Sequence, residues 1–358
     1  MKVLGRSPRM SHLIKPKRLQ PGDTLAAISL SWGGAGMLPH RYATGVQQLE
    51  EAFGVCVIPT LHALREDAWL TKNPQARADD LMEALSDSNI RGIVSNIGGD
   101  DSIRTLRHTD LSVIRNNPKI FMGYSDTTIT HLAFLKAGVS SYYGPAILSG
   151  FAENGGLNDY LRDSVKRTLF SSEPIGQILK NTNGWTVEKL DWFQPELQTQ
   201  KRKLEPCTGW QWIHGSGVVE GRLIGGCLEV LDWLPGTEFW PELSTWNNAI
   251  LFLETSEEMP SPDTVKYFFR KLAAIGVLER IGAILLGRPG GQMDPVKFAE
   301  YDQVILQVIK EEEQLEIPVV THMDFGHTDP MFVLPYGMLV RVDADKKTLE
   351  FLEGAVSE

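Results

Sequence analysis

Lys119-Ile120-Phe121-Met122-Gly123-Tyr124-Ser125-Asp126-Thr127-Thr128 runs from an apolar strand, through Gly-x-Ser-Asp, straight into a helical pattern over 128–137. A serine on a sharp strand-to-helix turn is how α/β hydrolases hold a nucleophile above a sheet. The hydroxyl is then exposed near a helix N-terminus, where partial positive charge favours a developing anion. The match is incomplete, because the glycine usual two places after the serine is Thr127 here. Taken alone, the plainer reading prevails: Ser125 is a turn residue and Asp126 a helix N-cap.

The sequence on either side makes this turn part of a larger pattern. Residues 24–31 (TLAAISLS) read as a buried first strand launched by Pro21-Gly22-Asp23. Residues 41–53 have helical spacing, 56–59 form a short strand and 73–86 a helix. Residues 92–96 (GIVSN) are another buried strand, ending in Ile97-Gly98-Gly99-Asp100-Asp101. Alternating strands and helices predict a parallel sheet with helices on both faces, and ligands bind at the carboxyl ends of such strands. Gly98-Gly99 and Ser125 both stand at such ends.

Residues 170–206 are polar, poorly periodic and carry Trp185 and Trp192, which predicts a long connection or lid. Beyond it the expectations are a strand over 217–222, then Leu223-Ile224-Gly225-Gly226-Cys227-Leu228 leading into a helix through 234. Further strands are expected over 249–254, 281–286 and 318–321, helices over 262–274 and 294–311, and a closing hairpin over 338–343 and 348–352. The resulting division is a loose basic leader (1–18), a nucleophile domain (19–170), a Trp-bearing connection (171–208) and a C-terminal domain (209–358).

The chain has 358 residues, a net charge of −10 and a hydrophobic fraction of 42%. That suits about two globular domains. The acidic balance argues against nucleic acid or an anionic membrane as the main partner. Cys56, Cys207 and Cys227 are odd in number, widely spaced and without a C-x-x-C, so free thiols in a reducing cytosol are expected. No signal-peptide register follows the N-terminal basic residues, and no apolar run reaches the roughly 18 residues of a membrane span. The expectation is a soluble, cytoplasmic protein.

Two further segments bear chemistry. Ile250-Leu251-Phe252-Leu253-Glu254 is an apolar strand ending in a carboxylate, followed by Thr255-Ser256-Glu257-Glu258. Glu257 and Glu258 read as a solvated loop. His327 follows Gly326 in a loop, with no apolar face to satisfy. Serine is a weak nucleophile until an imidazole takes its proton, and the imidazole needs a carboxylate to fix its tautomer. Ser125, Glu254 and His327 supply these types in that chain order. The Gly98-Gly99 pair lets backbone approach a substrate, and the amide after the nucleophile, that of Asp126, is the usual second donor to an oxyanion. Neither nucleotide-binding glycine motif occurs. His322 and His327, five apart with Asp324 between, are a poor metal ligand set, and no cofactor or metal is expected.

With these segments on the page, the chain resembles the LD-carboxypeptidase family of serine peptidases. The resemblance runs from Leu19-Gln20-Pro21-Gly22-Asp23 to residue 352, through Gly98-Gly99-Asp100, Gly123-Tyr124-Ser125-Asp126, Leu223-Ile224-Gly225-Gly226, Leu251-Phe252-Leu253-Glu254, Gly326-His327 and Leu334-Pro335-Tyr336-Gly337. It implies an α/β fold: an N-terminal parallel-sheet domain of class I glutamine amidotransferase-like type, plus a smaller β-rich C-terminal domain. It implies Ser125 as nucleophile, His327 as base, Glu254 as its orienting carboxylate, and the Gly99 and Asp126 amides as oxyanion hole. It also implies a homodimer without a metal. One branch of the family trims D-alanine from murein tetrapeptides. The other, the microcin C immunity type, cuts a peptidyl or aminoacyl group from a modified nucleotide. Gly98-Gly99-Asp100-Asp101-Ser102, Glu254-Thr255-Ser256-Glu257-Glu258 and the Trp-bearing connection resemble the second branch. There Trp192, then Trp185, are the candidates to stack on the base, with Asp100 beside the substrate. Cys227 stands where relatives commonly carry asparagine. The alternative from another class is a non-catalytic binder of peptides or nucleotides.

Overall fold

A computed structural model describes residues 13–358. Its strands, in chain order, are β1 (Thr24–Ile28), β2 (Cys56–Pro59), β3 (Ile90–Ser95), β4 (Ile120–Gly123), β5 (Tyr142–Tyr143), β6 (Gly176–Gln177), β7 (Gln211–His214), β8 (Val218–Cys227), β9 (Ile250–Glu254), β10 (Ala283–Gly287), β11 (Val319–Met323), β12 (Leu334–Pro335), β13 (Leu339–Asp343) and β14 (Thr348–Phe351). They form two sheets. The first has the order β12-β5-β4-β3-β1-β2, the second β6-β14-β13-β8-β9-β10-β11-β7.

In the first sheet β1 to β5 are all parallel, and only β12 runs against β5. β1, β3 and β4 are buried along almost their whole length, as strands covered by helices on both faces must be. The second sheet has a parallel centre, β8 to β11, flanked by antiparallel strands. The expected hairpin is present, with Val342 opposite Leu349. The architecture is thus α/β, with an N-terminal parallel-sheet domain and a β-rich C-terminal domain.

Several local expectations need correction. Leu223 to Cys227 continue β8 rather than turning, and the helix after it spans only Leu228–Leu231. The double glycine within β8 is demanded by close packing. A Cβ on Gly225 would overlap the Phe252 carbonyl oxygen of β9, and one on Gly226 would lie 2.5 Å from Thr128 Cγ2. The expected helix over 294–311 is broken into a short 3₁₀ turn, the helix Phe298–Leu306 and a π turn. Of the leader, residues 1–12 lie outside the described residues, but 13–18 are not loose. Leu13 is buried, Lys15 pairs with Glu353 at 2.7 Å, and Arg18 N–H donates to the Ser357 carbonyl. Among the described residues no helix is long and apolar enough to cross a membrane.

The long connection is a strap over both domains. Trp185 and Glu205 bridge its two ends, and Thr186 bridges to Asp329. Arg202 holds both Glu153 and Asp329.

Gly225→Ala is expected to lower the unfolding free energy by about 3 kcal/mol or more, because β8 and β9 must separate to admit one methyl group. Urea denaturation of the variant beside wild type measures this directly.

Candidate active site

The Ser125 turn is built from its neighbours. Tyr124 is extended and Ser125 has φ 62°, in the left-handed region that an L-residue enters only under constraint. Four hydrogen bonds frame it. Ser125 N–H donates to the Tyr143 hydroxyl at 2.9 Å. The Thr128 hydroxyl donates to the Ser125 carbonyl at 2.7 Å. Buried His131 donates from Nε2 to the Gly123 carbonyl at 2.9 Å and accepts at Nδ1 from Ser141 at 2.8 Å. Burial drives the His131 pKa down to about 3, so this ring stays neutral and structural.

Behind Ser125, the helix Thr128–Ala137 is buried on nearly every side. Asp126 does not cap it. The Asp126 carboxylate reaches across to the 3₁₀ helix Ser102–His108, accepting from Asp101 N–H at 3.1 Å, Ser102 N–H at 2.9 Å and the Ser102 hydroxyl at 2.7 Å. This buried carboxylate ties the glycine loop to the serine turn. Gly98 then lies so close that a Cβ there would stand 2.9 Å from Ser125 Oγ and 3.3 Å from Asp126 N. Gly99 has φ 144°, and its amide finds no acceptor among the described residues. Asp100, next to it, is exposed.

The second sheet supplies the other two groups. Glu254 ends β9 completely buried. His327 Nδ1 lies 2.6 Å from Glu254 Oε2, and His327 Nε2 lies 3.1 Å from Ser125 Oγ. Gly326, at φ 94°, makes room for this: a Cβ there would sit 2.6 Å from Glu254 Cβ. The structure therefore brings together the three residues that sequence reasoning selected from distant segments. When the ring is neutral, with Nδ1–H donated to Glu254, the lone pair of Nε2 faces the serine hydroxyl, and the arrangement can then move a proton from Oγ to the ring.

Two site residues escaped the sequence reading. Tyr143 donates its hydroxyl to Glu254 Oε1 at 2.5 Å while accepting from Ser125 N–H. Burial and the adjacent Glu254 carboxylate both push its pKa well above the usual phenol value, so it remains a donor. A two-residue strand has no periodicity to reveal it. Glu257, expected to be merely solvated, places Oε2 3.0 Å from His327 Nε2. The hydrogen bond to His327 is the main cause that draws the Glu257 pKa down to about 2. Burial opposes charge on His327, yet Glu254 and Glu257 outweigh it and hold its pKa well above the ordinary imidazole value.

The tryptophans differ. Trp185 is buried, with Arg288 4.7 Å above its ring, Phe298 against it and Nε1–H donated to the Pro206 carbonyl at 3.1 Å. It packs the strap, and the expectation that it could stack on a ligand is corrected. Trp192 is half-buried, carries Arg41 on one face at 4.1 Å and accepts from His40 through its carbonyl at 2.8 Å. Cys227 is buried opposite Glu254 in the β8–β9 ladder, and its N–H donates to the Thr128 hydroxyl at 3.0 Å. His322 turns away toward Asp302, at 3.2 Å. Among the described residues no group of His, Cys, Asp and Glu is arranged to hold a metal ion.

Comparison with known proteins identifies the family. Residues 25–144 match the LD-carboxypeptidase N-terminal domain and residues 220–342 the LD-carboxypeptidase C-terminal domain. The microcin C7 self-immunity protein MccF of Escherichia coli is 30% identical over 97% of this chain and 98% of its own. Its structure in complex with aspartyl sulfamoyl adenosine superposes with a TM-score of 0.82, at 30% identity, over 96% of this chain and 100% of that one. An MccF-like protein from Streptococcus pneumoniae, solved in complex with AMP, gives a TM-score of 0.84 at 31% identity, covering 92% of this chain and 98% of that one.

Phosphonylation of Ser125 by a fluorophosphonate reads out the site without a substrate. Tyr143→Phe is expected to slow it by about tenfold and to lower stability by about 1–3 kcal/mol, since Ser125 N–H and Glu254 each lose a buried partner. In wild type the rate is expected to fall as pH drops through the His327 pKa, because only the neutral ring accepts a proton. The half-maximal point should therefore lie above the ordinary imidazole value of about 6.5.

Proposed function

Because this chain belongs to the LD-carboxypeptidase family, we propose that it is a serine hydrolase with a Ser125-His327-Glu254 triad, cutting the amide-type bond that joins a peptidyl or aminoacyl group to a modified nucleotide. The observation that carries the chemistry is the pair of His327 contacts, 3.1 Å to Ser125 Oγ and 2.6 Å to Glu254. What supports the substrate class is the likeness to MccF, solved with aspartyl sulfamoyl adenosine.

In the cycle, His327 Nε2 takes the proton of Ser125 Oγ as that oxygen attacks the scissile carbonyl. The carbonyl oxygen becomes an anion held by the Gly99 and Asp126 amides. The tetrahedral intermediate collapses and breaks the carbon–nitrogen bond, and the imidazolium delivers its proton to the departing nitrogen. A water then gives its proton to His327, attacks the acyl-enzyme and releases the acid, and His327 returns the proton to Ser125. Glu254 stays ionised throughout, fixing the ring and stabilising its charged form. Trp192, with one face against Arg41, offers a base the other, and exposed Asp100 stands beside the oxyanion amide of Gly99. We place the enzyme in the cytoplasm, as a homodimer.

Purified wild type and Ser125→Ala, each incubated with an aminoacyl sulfamoyl adenosine and separately with a murein tetrapeptide, decide the matter by mass spectrometry. Wild type should release the amino acid from the adenosine compound, and Ser125→Ala should not. Release of D-alanine alone would overturn the nucleotide assignment, and full activity of Ser125→Ala would overturn the triad. Trp192→Ala is expected to raise KM about tenfold or more with kcat little changed, as loss of base stacking weakens binding rather than chemistry.

A further inference from the structure

Glu257 occupies the one nitrogen that the proposed cycle requires to be free. Its Oε2 is 3.0 Å from His327 Nε2, and the same Nε2 is 3.1 Å from Ser125 Oγ. A neutral ring that donates Nδ1–H to Glu254 presents a lone pair at Nε2. That lone pair accepts from a serine hydroxyl but repels a carboxylate. Glu257 therefore docks on the imidazolium form, which cannot take the serine proton.

The backbone at this point is held by hydrogen bonds, while the Glu257 side chain is largely exposed and meets His327. The Glu229 carboxylate accepts from Ser256 N–H at 2.9 Å and from its hydroxyl at 2.6 Å, and Ser256 Oγ accepts from Glu258 N–H at 3.2 Å. The Glu257 side chain is 64% exposed, against 9% for His327 and none for Glu254. It can swing on a fixed turn. The groups facing His327 are Glu254 at the end of β9, Glu257 on the following turn, Ser125, and the Tyr124 ring at 5.0 Å. The positive charge of Lys189 on the strap also favours the charged Glu257 carboxylate.

We infer that Glu257 is a specificity-determining residue, selecting substrates that carry a protonated amine next to the scissile carbonyl, such as an aminoacyl group with a free α-ammonium. The inference rests on the hydrolase reading of Ser125 and names the substrate class more finely. For attack, the carbonyl carbon must come within about 3–3.5 Å of Ser125 Oγ, which brings an amine two bonds away within reach of the Glu257 carboxylate. The ammonium draws that carboxylate off His327. The His327 ring, having lost one of its two anions, releases the Nε2 proton to water while Nδ1–H stays on Glu254, and the Nε2 lone pair then faces Ser125 Oγ. A substrate whose amine is blocked leaves Glu257 docked, and an acidic group in the same place is repelled by it.

The test uses wild type, Glu257→Gln and Glu257→Asp. The pH dependence of Ser125 phosphonylation is one readout. The ratio of kcat/KM for glycyl sulfamoyl adenosine to that for its N-acetyl derivative is the other. Wild type should prefer the free amine by about tenfold or more, and Glu257→Gln should bring the ratio near one while Glu257→Asp keeps the preference. Glu257→Gln should also move the acid limb of phosphonylation lower by about one pH unit, since His327 loses an anionic neighbour. An unchanged limb together with an unchanged ratio, in a protein whose Ser125 still labels, overturns this inference alone. If Ser125 of wild type neither labels nor cuts either compound, the hydrolase reading falls and takes the inference with it.

Discussion

A buried carboxylate must be matched by donors, and Glu254 is fully removed from water. Its two oxygens are satisfied from opposite sides: Tyr143 of the first sheet on one, His327 on the other. Neither domain could bury this group alone. Glu254 closes the parallel centre of the second sheet, and Tyr143 closes a parallel strand of the first, beside the strand that delivers Ser125. The requirement to satisfy one anion therefore fixes how the two sheets meet, and the meeting places a hydroxyl, an imidazole and a carboxylate in line. A second buried carboxylate, Asp126, does the same within the first domain. It pins the Gly98-Gly99 loop to the serine turn through three hydrogen bonds.

Much of this is legible in the sequence, for a physical reason. Strands buried on both faces read as apolar runs, so β1, β3, β4, β9 and β10 stand out, and the polar residue at each carboxyl end is conspicuous by contrast. Ser125 and Glu254 were found in that way, and His327 by its place after a glycine in a loop without an apolar face. What stayed hidden lacked a period or carried the wrong one. Tyr143 lies on a two-residue strand and β12 on another. Gly225-Gly226 lies beyond the expected end of the strand at 222, although the pair continues β8 and serves close strand packing. Glu257 stands among other acids, and only the fold shows that its exposed carboxylate also meets His327. Trp185 and Trp192 look alike in a polar segment, yet one is buried beneath Arg288 and the other is only half-buried, with Arg41 on one face.

Electrostatics at the site balance opposed demands. Burial disfavours charge on His327, while two carboxylates favour it. One of them, Glu254, is locked by Tyr143 and cannot leave. The other is mounted on a rigid turn with a mobile side chain. A site with one fixed and one movable anion can hold its base charged at rest and release it when a cation arrives, without any change of backbone.

The strand β12 has a consequence for how the protein is made. Leu334–Pro335 comes late in the chain but completes the first sheet beside β5, and Ser357 near the end bonds back to Pro16 and Arg18. The β12–β5 pairs join residues 191 and 193 positions apart, and the Ser357 bonds join residues more than three hundred apart. Such pairings form slowly because the loop entropy is met before the contacts repay it. During synthesis the N-terminal domain emerges with the β5 edge uncovered and cannot close until residues 334–335 have left the ribosome. The two halves are thus a single cooperative unit in biogenesis, and the nascent first half is the stage most exposed to edge-to-edge association.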